Sequence, residues 1–311
     1  MSSARDAPVF SAGGRCFTWV EVIEAARARG DWAALERQVQ ALVAREHELA
    51  AAGALPDAAE VRAAANEFRY LHHLISADEL EDWLLGRDIG LQEWMAEMRR
   101  SLLESEAASA AHLVQPQERE VWVHAVCSGE LAAYARRLAE EVAVHLAEQP
   151  LAQVPEELET LGRQRERFCA AQLTESALAA EIANNTVGWT RLDIRSLIHQ
   201  DEVVVREAAL CVRQDGRELA DVAADAGARL EDTSLLLDDA EPALRTRLMA
   251  AQSGELLGPL ATGEDHRLVL ALRRVPPSRD DPALRRRAEE AIIERALAGE
   301  ISRQVNWHEY L

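Results

Sequence analysis

Between residues 17 and 185 apolar side chains recur every three or four positions, the period of a helix with one buried face. Residues 17–29 set Trp19, Val20, Ile23 and Ala26 or Arg27 at that spacing and stop at Gly30, after which Asp31 can cap a second helix over residues 32–52. The second stripe is Leu35, Val39, Leu42, Val43 and Leu49, ending at Gly53. A third helix begins after Pro56-Asp57 and turns Val61, Ala65, Phe68, Leu71, Leu74 and Ile75 inward. Ser76 followed by Glu79 has capping-box spacing, which starts a short fourth helix, and Gly90 divides it from a fifth, LQEWMAEMRRSLLESEAA. Further helices are predicted over residues 117–148 with a break at Gly129, 155–172 and 174–184, punctuated by Pro116, Pro150 and Pro155.

The period changes after Asn184-Asn185. Leu192, Ile194, Ser196 and Ile198 alternate with Arg191, Asp193, Arg195 and Leu197, which is the pattern of a half-buried strand. DEVVVREAALCVRQDG then reads as a helix, RELADVAADAG as a second, TSLLLDD as a short strand and EPALRTRLMAA as a third helix. SGELLGPLATGED reads as a glycine-rich turn and RLVLALRRV as a closing strand that ends on Pro276-Pro277. Strand, helix, helix, strand, helix, strand is a compact α+β module. A last helix begins near Asp280-Asp281-Pro282 and runs to about residue 304, and the closing WHEYL can dock Trp307 and Tyr310 on another helix. No internal repeat is visible.

Composition narrows the function classes. The 311 residues are 48% hydrophobic and only 5% aromatic, enough for a core and biased towards helix. A net charge of -20 repels a phosphate backbone, and no basic patch interleaved with aromatics offsets it, so nucleic acid is not an expected partner. All 34 of the lysine-plus-arginine residues are arginine, which excludes Schiff-base, phosphate-loop and kinase-type lysines. No GxSxG, phosphate-cradling glycine loop or GxGxxG occurs. Cys16, Cys127, Cys169 and Cys211 form no CxxC pair and read as reduced core residues in helical surroundings. No secretory leader and no long uncharged apolar run is present, so the expected compartment is the cytoplasm and no membrane contact is expected.

Metal and cofactor chemistry finds no support in the spacing. Adjacent His72 and His73 diverge by about 100° on a helix, and His47 lacks a HExxH context. His112, His124 and His145 have no ligand-like neighbours in sequence. No metal, cofactor or catalytic residue is assigned. Acidic runs such as EDTSLLLDDAE read as solvated loop ends, and the seven tryptophans as core.

Three stretches carry a resemblance. SLIHQDEVVVREA resembles the first strand, acidic turn and helix of the parvulin family of peptidyl-prolyl isomerases; DGRELADVAADAG resembles its G-x-x-F-x-x-L-A helix; and SGELLGPLATGEDHRLVLALRRVPP resembles its G-E-x-x-G-P-V-x-T to G-Y-H-I-I-K-V close. The region NEFRYLHHLISADELEDWLLGRDIGLQEWMAEMRRSLL looks like the N-terminal domain of SurA-type and trigger-factor-type chaperones. The whole chain is similar to cytoplasmic parvulin-related proteins described as maturation factors for ribosomally made, modified peptides. The resemblance implies a mostly α protein with an α+β module. A helical domain over residues 1–186 and a parvulin-like domain over 187–278 are followed by a helix within 279–311 that returns to the helical domain.

Active parvulins hold proline in an apolar cup beneath two facing histidines and a Cys or Asp. By the same resemblance the first histidine is replaced by Ser196, and the second by Arg267, or by His266 if the alignment slides one residue. The cup phenylalanine falls on Leu244 and the methionine on Ala240, Met249 stands at another core phenylalanine, and ARLEDTSLLLDD offers no Cys or Asp equivalent. The cup stays apolar while its polar chemistry is lost. The resulting expectation is a noncatalytic peptide-binding chaperone or escort, using Ser196, Ala240, Leu244, Met249, His266 and Arg267 to hold an unfolded or precursor polypeptide. Alternatives are an isomerase working through His266 and Ser196, and a structural adaptor for peptide-modifying enzymes. The oligomeric state stays open, a homodimer included.

Overall fold

A computed structural model describes residues 4–103, 115–149, 154, 159–263 and 265–308. Pro150, Pro155, His112 and Tyr310, all used in the sequence reading, lie outside the described residues, as does the predicted end of the fifth helix. The chain divides into two units, Met1–Ala170 with Arg295–Leu311, and Ala171–Glu294.

The first unit is helical. It contains α1 (Trp19–Arg29), α2 (Asp31–Ala52), α3 (Ala58–Leu71), α4 (Ala77–Gly86), α5 (Leu91–Arg100), α6 (Glu118–Cys127), α7 (Glu130–Glu148) and most of α8 (Glu159–Gln172). The punctuation residues act as their chemistry requires. Gly30 and Gly129 take φ of 85° and 83° between consecutive helices, a left-handed conformation that costs other residues free energy. Asp57 accepts from the amides of Ala59 and Glu60 at the head of α3, and Ser76 and Glu79 close a reciprocal capping box on α4. Phe10, Phe17, Trp32, Trp94, Trp122 and Leu138 lie in its core.

A small sheet in this unit was not expected from the sequence. β1 (Pro8–Ala12) pairs antiparallel with β2 (Arg15–Thr18) and with β7 (Val305–Trp307), in the order β2-β1-β7. Trp307 meets Phe10 edge-on with ring centroids 5.4 Å apart. The predicted start of α1 at residue 17 therefore moves to Trp19. Leu71 and Ile75, expected inward, are exposed, because α3 ends at Leu71 and the helical period lapses beyond it; Leu74 remains buried. Cys16, expected in a helical core, lies exposed on β2. Burial raises the thiol pKa of both Cys127 and Cys169, keeping them protonated and unreactive.

The second unit holds α9 (Glu175–Asn184), β3 (Arg191–His199), α10 (Glu202–Gln214), α11 (Leu219–Ala226), β4 (Arg229–Leu236), α12 (Pro242–Ala250), β5 (Leu256–Thr262), β6 (Asp265–Val275) and the first turns of α13 (Pro282–Gln304). The sheet has four antiparallel strands in the order β4-β3-β6-β5. The fourth strand, β5, is the stretch read as a turn. Its alternation is interrupted where the register slips between Leu257 and Leu260, hiding a strand from a period-two search.

Both faces of the sheet centre are covered. Leu192, Ile194, Val269 and Ala271 pack with Leu244 and Leu248 of α12, whereas Leu197 and Leu268 pack with Val205, Ala209, Leu219 and Val222 of α10 and α11. A third cluster joins Leu178, Ile182 and Trp189 to Leu284, Ala288 and Ile292. This contact assigns α9 and the first turns of α13 to the second unit, so the boundaries differ from those expected at residues 186 and 279. The last turns of α13, with β7, belong to the first unit.

Candidate functional site

Strand register decides where the candidate residues go. Ser196 pairs with Val269 and Ile198 with Arg267, which places Ser196 and Arg267 on the face that α12 covers. His266 pairs with His199 and, one residue from Arg267, shares the opposite face with Leu268. Ser196 and His266 therefore lie on opposite faces of the sheet.

Helix α12 builds the roof. Pro242 occupies its first turn, where the missing amide hydrogen costs nothing, and Leu244 and Leu248 turn down onto the sheet. Its C-terminal carbonyls are held by Arg274, which donates to the carbonyls of Met249 at 3.2 Å and Ala251 at 2.8 Å. Ala240 is buried just before the helix, and Leu244 is 4% exposed. Met249, expected in the core, is 52% exposed: it comes one residue after buried Leu248 on the helix, and a 100° step carries it outward.

The floor and rim come from the irregular part of β5. Gly258 has φ of 113°, and Arg213 of α10 donates to the carbonyls of Leu256 at 3.1 Å and Gly258 at 3.0 Å. This clamp holds the register slip and puts Pro259, Leu260, Ala261 and Thr262 opposite α12. The result is a pocket of about 210 Å³ lined by these four residues and by Glu241, Ala243, Leu244, Arg247 and Arg267. It is smaller than the roughly 300–1,000 Å³ usual for drug-sized ligands and leaves room for about one side chain.

Of the six sequence candidates, Leu244 and Arg267 line the pocket. Ser196 and Ala240 are buried, Met249 is exposed, and His266 is on the other face. Sequence reading missed Pro259, Leu260, Thr262, Glu241 and Arg247. The Gly258-Pro259 pair was their available signal, since glycine followed by proline inside an apolar run marks a bulge as well as a turn.

The polar groups at the pocket are cationic on balance. Arg267 Nη2 donates to Glu241 Oε2 at 2.8 Å, while its buried Nε has no hydrogen-bond partner. The buried Thr262 hydroxyl is also without one. Arg247 is exposed and, among the described residues, has no ion-pair partner. The arrangement can bind and orient an apolar group beside an acceptor. Among the described residues its lining holds one carboxylate, Glu241, already paired with Arg267.

The helical unit carries a larger cavity, about 470 Å³, lined among others by Trp19, Trp83, Trp122, His72, Arg87 and Val126. The Arg87 guanidinium stacks over the Trp83 ring at 4.4 Å, and the Trp122 indole donates to the Arg87 carbonyl at 3.1 Å. Burial, followed by the nearby Arg87 and His73 charges, lowers the His72 pKa and favours the neutral imidazole. Among the described residues no group of three or more His, Cys, Asp or Glu could hold a metal ion, and no helix is long and apolar enough to cross a membrane.

No family model and no curated protein matches the chain. Among solved structures it is similar to the foldase PrsA of Streptococcus pneumoniae, at 12% identity over 95% of this chain and 87% of that one, with a TM-score of 0.28. PrsA of Bacillus subtilis aligns at 9% identity over 96% and 90% of the two chains, with a TM-score of 0.25. One of two structurally related SurA-like chaperones of Campylobacter jejuni aligns at 9% identity over 98% and 100%, with a TM-score of 0.20.

Proposed function

We propose that the chain is a parvulin-like, noncatalytic chaperone that holds an extended polypeptide segment in the pocket beneath α12. One observation carries this reading: the pocket has apolar walls from Leu244, Pro259 and Leu260, with Arg267 at its polar edge and His266 on the far side of the sheet. Among the described lining residues no imidazole faces the pocket, so the site is suited to holding a chain rather than to polarising a twisted amide between two histidines. Backbone groups of the guest would supply hydrogen bonds and its side chain the apolar contact. The client class that the sequence resemblance suggests is a ribosomally made precursor peptide, presented to cytoplasmic modifying enzymes.

The test pairs binding with catalysis. Fluorescence anisotropy with a reduced, carboxymethylated unfolded protein should give saturable binding, and Leu244→Asp should abolish it. Prolyl exchange in a proline peptide, followed by NMR, should proceed at the uncatalysed rate. Acceleration lost on Ser196→Ala or Arg267→Gln would refute the noncatalytic reading, and absence of saturable binding would refute the chaperone reading.

A further inference from the structure

The pocket's donors are arranged for a ligand that a proline cup does not need. Arg267 presents Nε and Nη2 as neighbouring donors of one planar fork, a match for the two oxygens of a carboxylate. Only half of that fork is used: Glu241 takes Nη2 at 2.8 Å, and Nε is buried with no partner. An unsatisfied buried donor is costly, and the Thr262 hydroxyl adds a second orphan at the same pocket. Arg247 brings another positive charge to the lining, and the Glu241 side chain that competes for Arg267 is itself 58% exposed.

Two arginines against one glutamate leave the lining net positive in a chain whose overall charge is -20. Apolar walls of Leu244, Pro259 and Leu260 stand beside these donors, within about 210 Å³. From this combination we propose that the pocket captures the C-terminal end of a polypeptide, its last apolar side chain against Leu244 and Leu260 and its free carboxylate on Arg267, Arg247 and Thr262. Glu241 swings out to solvent as the carboxylate takes its place. The inference rests on the peptide-binding reading above and adds to it the part of the client that is recognised.

The test uses the full chain and one probe in two forms: a fluorescent octapeptide of uncharged residues ending in leucine, made with a free carboxylate and as the carboxamide. The acid should bind ten- to a hundredfold more tightly, as expected for charge-assisted bonds in a partly buried site. Arg247→Gln, on the exposed surface, and Arg267→Gln should each shrink that ratio. Glu241→Gln should tighten binding of the acid by removing the competitor. Equal affinity for acid and amide would overturn carboxylate recognition and leave the chaperone reading standing. Binding of the unfolded protein with no binding of either octapeptide would overturn it too, and failure of both ligands would sink the two readings together. Should Arg267→Gln unfold the chain, the Arg247→Gln and Glu241→Gln comparisons decide alone.

Discussion

Gly258 shows how much of the pocket depends on a single backbone. At φ of 113° it occupies a region that residues with a β-carbon avoid, and an added Cβ would lie 2.8 Å from the carbonyl oxygen of Arg267. That oxygen is backbone and cannot rotate away. Gly258→Ala should therefore cost about 2 kcal/mol or more in urea unfolding, combining strain and displacement of β6. It should also weaken peptide binding more than its stability loss explains, because Pro259 and Leu260 move with it. Unchanged stability would mean that the close approach is not real. The residues that line the pocket were legible to different degrees: Leu244 and Arg267 through a family pattern, whereas Arg247 and Thr262 acquire meaning only by facing each other across α12 and β5.

At the scale of elements, helices were the easier part. Caps and apolar periodicity are local, so α1 to α7 start and stop close to the glycines, Ser76 and Asp57 that their neighbours predict. α12 is an instructive contrast. It buries Leu244 and Leu248, four residues apart, and exposes Met249, so tertiary contact with the sheet holds it in place. Leu248 is 1% exposed, and Leu248→Ala should destabilise the second unit by about 2–5 kcal/mol in urea unfolding while leaving its fold intact. If the loss were under about 1 kcal/mol, α12 would not be a packed roof, and the pocket would lose its wall. Strands were harder: β5 conceals its alternation behind a register slip, and β1, β2 and β7 are three to five residues each.

For the molecule as a whole, the three apolar clusters built on the four-stranded sheet, on α10 and α11, and on α9 with α13 all fall within residues 171–294. A segment with its own cores is expected to fold by itself. Residues 171–294 expressed alone should give a cooperative urea transition and retain binding of the carboxylate octapeptide. A noncooperative transition would show that the helical unit is required for folding. The net charge of -20 adds a long-range term: a guest with a basic body should bind more weakly as salt rises, since the attraction is screened beyond about 10 Å at 0.1 M.

By itself the sequence determined the helical first half, the caps, the alternation of β3 and β6, and the absence of any lysine-dependent chemistry, because each depends on residue type and on neighbours a few positions away. Tertiary structure decided the rest. Which side of the sheet His266 and Arg267 occupy is set by pairing with β3, some seventy residues earlier, where one step of register exchanges the two faces. That β7 joins β1 from the far end of the chain, and that Arg267 ends beside Thr262 and Arg247, are likewise contacts between segments carrying no local record of one another.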